Sequence, residues 1–417
     1  MAPPTVRREA VVTSIGSLGD GLADGVHVPL SLPGERLLLN VEGDRGQIAE
    51  LLEASPDRIA AACPHFGDCG GCALQHWAPA PYLAWKSERI RSALARVRLE
   101  TEILPPFASA PASRRRVALH ARKAGGRVVL GFKARRSWRV TPISECAVAE
   151  SSIVSALPFL QDLAAPFLEH PASAPTLHVT ATLTGLDIDV TGVERKSGGL
   201  SADARVSVAE AAARADFARV TMAGEVLYQS RLPSVRVGEA LVELPPGAFL
   251  QAVAAAEAAM VGFALDAAAG ARRIADLYCG VGAFTFPLAG IAPVLAADVS
   301  APSIRALERA KGSAPGLKAI TAMARDLERR PITAEELVGV DVAVFDPPRA
   351  GAEAQAREIA RSRSSQVIGV SCNPVTFARD ARILVEAGFK LGPILPVDQF
   401  LWSPHIELAA VFSRDKD

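Results

Sequence analysis

The pattern of hydrophobic and polar residues changes at about residue 240. Before that point, short segments alternate apolar and polar residues between glycine-rich turns, as in 8–56, 114–140 and 176–191. A period of two predicts half-buried β-strands, and the turns at Gly125-Gly126 and Thr184-Gly185 predict two hairpins. After that point, apolar runs alternate with Ala-rich helical segments, which is the pattern of a doubly wound α/β domain.

We therefore predict an α/β protein with several domains, because 417 residues exceed the size of a single hydrophobic core. Residues 1–58 are expected to form a small β-barrel that binds RNA. Residues 59–240 are expected to form a β-rich, irregular central domain with one charged helix at 80–97. Residues 241–417 are expected to form the doubly wound, Rossmann-like domain.

The longest apolar stretch, 248–271, contains Gln251, Glu257 and Asp266. These polar residues predict a buried Ala-rich helix rather than a membrane span. The first ten residues contain no apolar core of signal-peptide length. These two features lead us to expect a cytoplasmic protein with no membrane partner. We also expect the protein to be a monomer.

The apolar runs of the C-terminal part end in residues that can carry chemistry. These residues are Gly280 and Gly282 after the first run, then Asp298, Asp326, Asp346 and Cys372. In doubly wound sheets, ligands bind at the carboxyl ends of the strands. The glycine turn lacks the third glycine of a dinucleotide site, because residues 284–286 read Phe-Thr-Phe, and this favours S-adenosylmethionine over NAD. For the glycines alone, a purely structural turn is the alternative.

Charge points to a local binding surface. The chain has 45 basic and 45 acidic residues, so any nucleic-acid binding must come from a patch. The segment 114–139 has ten Lys or Arg and no Asp or Glu. With Phe132, Trp138 and His120 available to stack on bases, this segment predicts an RNA-binding hairpin. A solvated hairpin face is the alternative.

Four of the six cysteines have the spacing of metal ligands. They are Cys63, Cys69, Cys72 and the distant Cys146. Three close thiols and a fourth fit either a tetrahedral zinc ion or a cubane iron–sulfur cluster, and spacing alone does not choose between them. His65 and His76 leave a mixed zinc site as a weaker option, and four unrelated buried thiols are the remaining alternative. Cys279 is expected to pack beneath the glycine turn.

Together, the motifs of residues 59–417 resemble those of the RNA uracil-5-methyltransferases, most closely the ribosomal RNA type with an iron–sulfur cluster. Residues 8–56 resemble the TRAM barrel of that type. The motifs that carry the resemblance are C-x5-C-G-G-C at 63–72, the late Cys146, FLQ at 249–251, DLYCGVG at 276–282, DPPRAG at 346–351, SCNP at 371–374 and HIE at 405–407.

The resemblance implies a class I methyltransferase that transfers a methyl group from S-adenosylmethionine to C5 of a uridine, in 23S ribosomal RNA. It implies a [4Fe-4S] cluster on the four spaced cysteines, Cys372 as nucleophile and Glu407 as general base. The cofactor residues that it implies are Gln251, Tyr278, Asp298, Asp326 and Asp346. Taken alone, Cys372 would be a buried core thiol and Glu407 an ion-pair partner.

The chain departs from the family pattern near the cofactor. Ala283 stands where the family usually has Asn, Tyr278 replaces a usual Phe, and Asp298 replaces a usual Glu. Ala252-Val253 stands for a usual Val-Asn after Gln251. These departures concern cofactor affinity and the exact substrate more than the type of reaction, because Cys372 and Glu407 are both present.

The chemistry explains why a thiol and a carboxylate are needed. Carbon 5 of uracil becomes nucleophilic when a thiolate adds to carbon 6, and a base must then remove the proton on carbon 5. Cys372 and Glu407 are far apart in sequence, so neighbouring strands must bring them together. A thiol is mostly protonated at pH 7, and we expect the amide of Asn373 and the helix start near Thr376 to favour the thiolate. The target base must also leave its stack.

Four alternatives remain open at this point. A transfer RNA uracil-5-methyltransferase usually lacks the cluster, so the spaced cysteines argue against it. A cytosine-5 enzyme would carry its nucleophile in a different proline–cysteine motif. A catalytically impaired iron–sulfur RNA-binding protein is consistent with Ala283. A redox protein is least favoured, because the chain contains no second cofactor motif.

Overall fold

The computed structural model describes residues 6–194 and 200–415. The first five residues of the predicted barrel, residues 195–199 of the predicted central domain and the last two residues of the chain lie outside the described residues. The described part of the chain forms sheets of six, seven, two and eight strands. The predicted α/β class is therefore confirmed.

The N-terminal sheet contains six short strands. They are β1 (Val6–Val11), β2 (Ser14–Ile15), β3 (Gly21–Ala23), β4 (Val26–Val28), β5 (Arg36–Glu42) and β6 (Arg45–Glu53). The order is β1-β5-β6-β4-β3-β2. Strand β5 alternates as the sequence predicts, with Leu37, Leu39 and Val41 buried and its ends exposed. This alternation gives the sheet one apolar face over a small core.

The central sheet follows a single helix and a two-residue strand. The elements are α1 (Pro79–Arg96), β7 (Phe107–Ala108), β8 (Arg116–Ala124), β9 (Arg127–Lys133), β10 (Val140–Pro142), α2 (Ser151–Ser155), α3 (Leu157–Ala164), β11 (Thr176–Thr182), β12 (Gly185–Thr191), α4 (Ala202–Arg214), β13 (Arg219–Met222) and β14 (Glu225–Gln229). The sheet order is β10-β9-β8-β11-β12-β13-β14, and both predicted hairpins are confirmed.

Helices α2, α3 and α4 pack on the central sheet, and the prediction of an irregular β-rich region missed them. Their buried residues share one core with the strands, including Leu160 and Leu163 of α3. The apolar stripe of α4 is built mainly of alanine, with Val208 as its largest buried side chain. Small side chains give a weak amphipathic signal, which explains the error.

The C-terminal sheet has eight strands with helices around it. The elements are β15 (Ser234–Val237), β16 (Ala240–Glu243), α5 (Ala254–Ala267), β17 (Ile274–Leu277), α6 (Thr285–Ala289), β18 (Val294–Asp298), α7 (Ala301–Ala310), β19 (Ile320–Ala324), β20 (Val342–Phe345), α8 (Glu353–Arg361), β21 (Gln366–Ser371), α9 (Pro374–Glu386), β22 (Lys390–Asp398) and β23 (Glu407–Ser413). The order is β19-β18-β17-β20-β21-β23-β22-β7, and β15 pairs with β16 separately.

This sheet is doubly wound, as the apolar runs predict. Strands β17 to β21 are parallel, whereas β23 runs antiparallel between β21 and β22. The chain order reverses at β17, and ligands bind at such a switch point, outside the carboxyl ends of the strands. Every predicted strand of this region is present.

The packing does not follow the expected boundary at residue 240. Strand β7 pairs with β22, with Phe107 beside Val397. Helix α1 packs against α9 and β22, and its Ile90 and Leu94 belong to the same core as the C-terminal sheet. A helix and a strand from the predicted central domain are therefore structural parts of the C-terminal unit.

Helix α5 is the only regular element of the long apolar stretch. It buries Ala256, Met260 and Ala264 in the core of the C-terminal sheet, so the predicted buried helix is confirmed. Within residues 6–194 and 200–415, no helix is both long and apolar enough to span a membrane.

Candidate active site

A cavity of about 900 Å³ opens at the carboxyl ends of the parallel strands. The central sheet forms its opposite wall with Arg116, His178 and Thr180. The predicted site residues that line it are Gln251, Tyr278, Gly280, Asp298, Asp326, Asp346, Cys372 and Glu407. Residues from widely separated motifs therefore meet in one place, at the switch point where a doubly wound fold binds ligands.

The glycine turn after β17 is held by the acid that ends β18. Asp298 Oδ2 accepts a hydrogen bond from the Gly280 amide at 3.0 Å, and Asp298 Oδ1 accepts one from the Ser300 amide at 2.7 Å. Gly280 has a φ of 53°, which glycine adopts without strain. The turn and the acid are thus placed together as the sequence predicts.

Gly282 does not line the cavity, although its neighbours Val281 and Ala283 do, and its contact with the cofactor stays a prediction. Its φ is 101°, and a Cβ atom at this position would lie 2.8 Å from the Phe286 ring. Glycine is needed here for close packing of the turn on α6. Cys279 is buried and packs in the core beneath the turn, as expected.

The predicted nucleophile directly follows β21, and the predicted base begins the neighbouring strand β23. The antiparallel ladder ends with Ser371 opposite Leu408, and continuing this register by one position past the end of β21 would put Cys372 opposite Glu407. Side chains at opposite positions of an antiparallel pair project from the same face of the sheet. The two residues, distant in sequence, therefore face the same cavity.

The residues around Cys372 end the strand and begin a helix. Asn373 caps α9, and its Oδ1 accepts a hydrogen bond from the Val375 amide at 3.1 Å. Its Nδ2 donates to the Arg349 carbonyl at 3.0 Å. Strand β21 thus ends just before the Cys372 thiol, α9 begins just after it, and this segment is hydrogen-bonded to the loop after β20.

The thiol of Cys372 is not activated in this arrangement. Burial, followed by the charges of Glu407 and Asp346, raises its pKa to about 11, and the nearby Arg349 opposes this. The amide of Asn373 donates to the Ser371 hydroxyl at 3.1 Å and is not available to the sulfur. The expectation that this amide favours the thiolate is therefore wrong.

Two carboxyl groups share the floor of the cavity. Burial raises the pKa of Asp346 to about 7, although Gln251 donates a hydrogen bond to it. Burial also raises the pKa of Glu407 well above its ordinary value, with the charge of Asp346 as the next cause and the hydrogen bond from Gln399 opposing. The charge of Glu257 adds to the raised pKa of Asp346, and an ionised Asp346 in turn disfavours ionisation of Glu407.

Two glutamines join these carboxyl groups into one chain of hydrogen bonds. Gln399 Nε2 donates to Glu407 Oε2 at 2.6 Å and to Gln251 Oε1 at 2.7 Å. Gln251 Nε2 then donates to Asp346 Oδ2 at 2.7 Å. The sequence analysis missed Gln399. Its only signal is that a polar residue follows the apolar end of β22, in the sequence Pro-Val-Asp-Gln-Phe.

The mouth of the cavity is basic and partly aromatic. Arg349 Nη2 lies 3.4 Å from His405 Nε2, and burial lowers the pKa of His405 to about 4. A neutral His405 ring can accept a hydrogen bond from Arg349. Arg114 lies over the Phe400 ring and Arg116 over the Phe249 ring, at 5.8 and 5.0 Å from the centroids.

A second cavity of about 310 Å³ is lined by all four spaced cysteines, Cys63, Cys69, Cys72 and Cys146. The Gly71 amide donates a hydrogen bond to Cys69 Sγ at 3.4 Å. A Cβ atom on Gly70 would lie 2.6 Å from the Lys133 carbonyl, so the loop packs tightly on β9. The loop and the distant Cys146 therefore converge on one space.

The four thiols line one space and are donors that a thiolate-bound group could use, but they are not arranged as a preformed metal site. A single water molecule needs on the order of 10–15 Å³, far less than the space present. Burial raises the pKa of Cys72 to about 12 and also raises that of Cys69. His65 lines the cavity but His76 does not, which removes His76 from the mixed zinc option. No set of three or more metal-binding side chains in the described part of the chain is arranged to hold a metal ion.

The basic hairpin is less available than its sequence predicts. Acids from outside the segment pair with several of its arginines, namely Glu257 with Arg115, Asp20 with Arg135 and Arg136, and Asp68 with Arg139. Phe132 lines the cysteine cavity, and His120 binds the Thr176 hydroxyl at 2.9 Å. Among the predicted stacking residues, Trp138 is the exposed one, at 79%, with Lys133 over its ring.

Comparison with known proteins gives a consistent set of relatives. The family model for tRNA (uracil-5-)-methyltransferase matches residues 210–415. An uncharacterized RNA methyltransferase of Caulobacter vibrioides is 62% identical over 98% of this chain and 100% of its own length. A 23S rRNA (uracil(1939)-C(5))-methyltransferase of Halomonas elongata is 34% identical over 96% of this chain and 88% of its own length.

A solved structure shares the fold. The crystal structure of the tRNA (uracil-54, C5)-methyltransferase of Pyrococcus abyssi, in complex with S-adenosyl-L-homocysteine, matches with a TM-score of 0.75. The match covers 97% of this chain and 99% of that chain at 22% identity. The likeness therefore extends over nearly the whole length of both chains.

Proposed function

Because the chain belongs to the RNA uracil-5-methyltransferase family, whose members are S-adenosylmethionine-dependent enzymes, we propose that it methylates C5 of a uridine in 23S ribosomal RNA through a covalent adduct on Cys372. The observation that carries the mechanism is that Cys372, directly after β21, and Glu407, at the start of the neighbouring strand β23, line one cavity. A nucleophile and a base at one wall can act on two neighbouring carbons of the same ring.

Cys372 begins the reaction. Its thiolate adds to C6 of uracil, which places electron density on C5 and O4. Carbon 5 then attacks the methyl group of S-adenosylmethionine and forms a new carbon–carbon bond, while the bond from that methyl group to the sulfonium sulfur breaks and S-adenosylhomocysteine leaves. The thiol proton must leave first, and Arg349 is the group of this chain whose charge favours its loss. Flipping of the target base into the cavity would exclude water from this step.

Glu407 completes the reaction. Its carboxylate takes the proton from C5, the double bond between C5 and C6 re-forms, and the Cys372 sulfur leaves as thiolate. Glu407 is 3% exposed and is held by Gln399, so the base is fixed in place before the substrate arrives. Burial raises the pKa of Glu407, and this makes its carboxylate a stronger base for the C5 proton.

The remaining wall suits the cofactor. When bound, S-adenosylmethionine supplies the methyl group and a positive sulfonium. Asp298 and Asp326 line the cavity at the ends of β18 and β19, where a carboxylate can bind a ribose or offset positive charge. Tyr278 and Gln251 are the other proposed contacts. Ala283 also lines the cavity and cannot offer the hydrogen bond of the usual Asn.

For the second cavity we propose a [4Fe-4S] cluster held by Cys63, Cys69, Cys72 and Cys146. The convergence of four thiols on one space and the amide donated to Cys69 support this. When bound, such a cluster supplies the positive charge that keeps buried thiols ionised. We assign no step of the methyl transfer to it.

The proposed substrate is ribosomal rather than transfer RNA. The Halomonas relative named for 23S rRNA aligns over 96% of this chain, and the four cysteines fit the ribosomal type. The transfer RNA function remains the second candidate, because the matching family model is named for it. Arg114 and Arg116 line the cavity and lie over the Phe400 and Phe249 rings, and they support RNA binding there. We propose the N-terminal sheet as a further RNA-binding surface.

Mapping of 5-methyluridine in RNA from a deletion strain tests the substrate. We expect one position of 23S rRNA to lose the methyl group while transfer RNA keeps its own. Loss in transfer RNA alone would refute the ribosomal assignment and support the second candidate. Re-expression of the wild-type gene is the control, and it must restore the modification.

Trapping tests the nucleophile. With S-adenosylmethionine and RNA that contains 5-fluorouridine, the wild-type enzyme should form a stable covalent adduct, because fluorine on C5 cannot be removed as a proton. Cys372→Ala should form none and should lose at least about 10⁴-fold in turnover, since the covalent route is closed. Cys279→Ala, which removes a buried thiol of the same region, is the matched variant for folding. An adduct with Cys372→Ala would refute the assignment.

A further inference from the structure

We infer that Gln399 is the positioning residue of the base, because it orients the Glu407 carboxylate and the Gln251 amide from one fixed point. This inference rests on the proposed function. Gln399 is 2% exposed and lies between the two residues that it binds. It follows β22, which pairs with one edge of β23, while β21, the strand before Cys372, pairs with the other edge.

The orientation of the Gln399 amide is set by the backbone. The Ala252 amide lies 2.9 Å from Gln399 Oε1, and a backbone amide can only donate. The oxygen of Gln399 must therefore face Ala252, and its nitrogen must face Glu407 and Gln251. Both protons of this nitrogen are used, at 2.6 and 2.7 Å, so the side chain has one arrangement that satisfies every partner.

The orientation of the Gln251 side-chain amide follows from the same reasoning. Its oxygen accepts from Gln399, so its nitrogen is turned toward Asp346 Oδ2, 2.7 Å away. Arg115 Nε also binds the Gln251 carbonyl at 3.0 Å and fixes its backbone. A single backbone amide, that of Ala252, thus decides the direction of two side-chain amides and of both carboxyl groups at their ends.

Gln399 also decides which oxygen of Glu407 is free. Oε2 accepts the hydrogen bond from Gln399. Within residues 6–194 and 200–415, no group donates to Oε1, and Glu407 lines the cavity. The geometry assigns Oε1 as the oxygen that takes the proton from C5. Without Gln399, the carboxylate could rotate and present either oxygen in a range of directions.

The backbone of Gln399 is held on both flanks by one buried lysine. Lys86 of α1 forms an ion pair with Asp398, and its Nζ donates to the Phe400 carbonyl at 3.1 Å. Lys86 and Asp398 are both fully buried, and Lys86 lies 4.8 Å over the Tyr82 ring. A helix that is remote in sequence therefore locks the two neighbours of Gln399, as a positioning residue requires.

Gln399→Met tests the inference, because methionine has a similar length and no amide. Adduct formation with 5-fluorouridine RNA does not need the base, so its rate should stay within about threefold of wild type. Turnover of uridine RNA should fall by about 10–100-fold, since part of the effect of a general base depends on its placement. A covalent adduct with ordinary uridine RNA should then accumulate in the steady state.

A pH profile separates positioning from a general structural role. The hydrogen bond from Gln399 lowers the pKa of Glu407, so its loss should move the rising limb of turnover to higher pH. Gln399→Glu should not rescue turnover, because an ionised carboxylate cannot donate at all and a neutral carboxyl group has one proton where the Gln399 amide donates to both Glu407 and Gln251. Gln355→Met removes another buried glutamine, which binds the backbone of Ile332, and should keep wild-type turnover and an unmoved profile.

The outcomes are distinct. Wild-type turnover by Gln399→Met with no accumulated adduct would overturn the inference. An equal loss of adduct formation and turnover would also overturn it, because Gln399 would then act on Cys372 or on folding. A wild-type enzyme that forms no adduct would refute the proposed function and this inference with it. Normal adduct formation with slow release and a shifted profile would support the inference.

Discussion

The two cavities of this protein differ in how their buried ionisable groups are stabilised. In the larger one, the carboxyl groups of Asp346 and Glu407 receive hydrogen bonds from Gln251 and Gln399. In the smaller one, the thiol sulfurs have few donors, and burial raises the pKa of Cys72 to about 12. The first site is organised by the chain itself, whereas ionised thiols in the second require a bound positive group.

The cavities are neighbours and share one wall. Arg114, Arg349, Gln399 and Phe400 line both of them. The loop after β22 also contacts the cysteine segment directly, because the Trp402 carbonyl accepts hydrogen bonds from the Ala73 and Leu74 amides at 2.8 and 3.0 Å. Both cavities thus depend on the same loop.

Among the experiments that test this difference between the two cavities, Glu407→Gln should cause the largest change in turnover. Loss of the base should lower turnover by about 10²–10⁴-fold and leave a covalent RNA adduct that does not resolve. The thiol should become more acidic, because the charge of Glu407 is one cause of the raised pKa of Cys372. Denaturing gels detect the adduct, and the pH dependence of Cys372 alkylation detects the pKa.

Normal release of product by this variant would contradict the base role. Glu353→Gln is the matched control, because Glu353 is an exposed acid of α8 whose partners are Arg357 and Arg379. It should leave turnover and alkylation unchanged.

The pH dependence of adduct formation should give the next largest effect. With a pKa of about 11 for Cys372, the thiolate fraction rises about tenfold per pH unit between pH 7 and 10. Because the pKa is raised, the fraction of Cys372 present as the reactive thiolate increases as pH rises and decreases as pH falls. Single-turnover rates of adduct formation with 5-fluorouridine RNA measure this slope. A rate that is flat above pH 7 would show that RNA and cofactor binding lower the pKa of the thiol into the neutral range.

Cys146→Ser should have the smallest effect on the methyl-transfer step, because we assign the second cavity no chemistry. The protein purified without oxygen should be brown and carry about four irons, as a cubane cluster requires. The variant should lose iron and unfold at a lower temperature. Cys279→Ser is the control and should keep its iron. A colourless wild-type protein with one zinc would contradict the cluster.

The local patterns of the sequence predicted much of the fold and most of the site. Period-two alternation predicted the hairpins, and the apolar runs predicted the strands that end near Gly280, Asp298, Asp346 and Cys372. These features are encoded within a few residues, because the side-chain period and the turn residues decide them. The helices α2, α3 and α4 were missed because their apolar faces are short or made of small residues.

Partners across long sequence separations were not predictable. Asp20, Asp68 and Glu257 neutralise arginines of the basic hairpin, although none of them lies in that segment. Lys86 pairs with Asp398 across most of the chain. An ion pair of this kind depends on which surfaces meet, and a one-dimensional charge pattern does not contain that information.

The sequence by itself determined which residues can do the chemistry, namely the cysteine motif, the terminal Glu407 and the acids at strand ends. The tertiary structure decided where these residues lie relative to one another and how burial shifts their pKa values. Antiparallel pairing of β21 with β23 brings Cys372 and Glu407 to one cavity, and burial raises the pKa of both. Gln399 gained its place in the site only through folding. Pairing, burial and hydrogen-bond direction are properties of packed neighbours, and packing joins residues that sequence keeps apart.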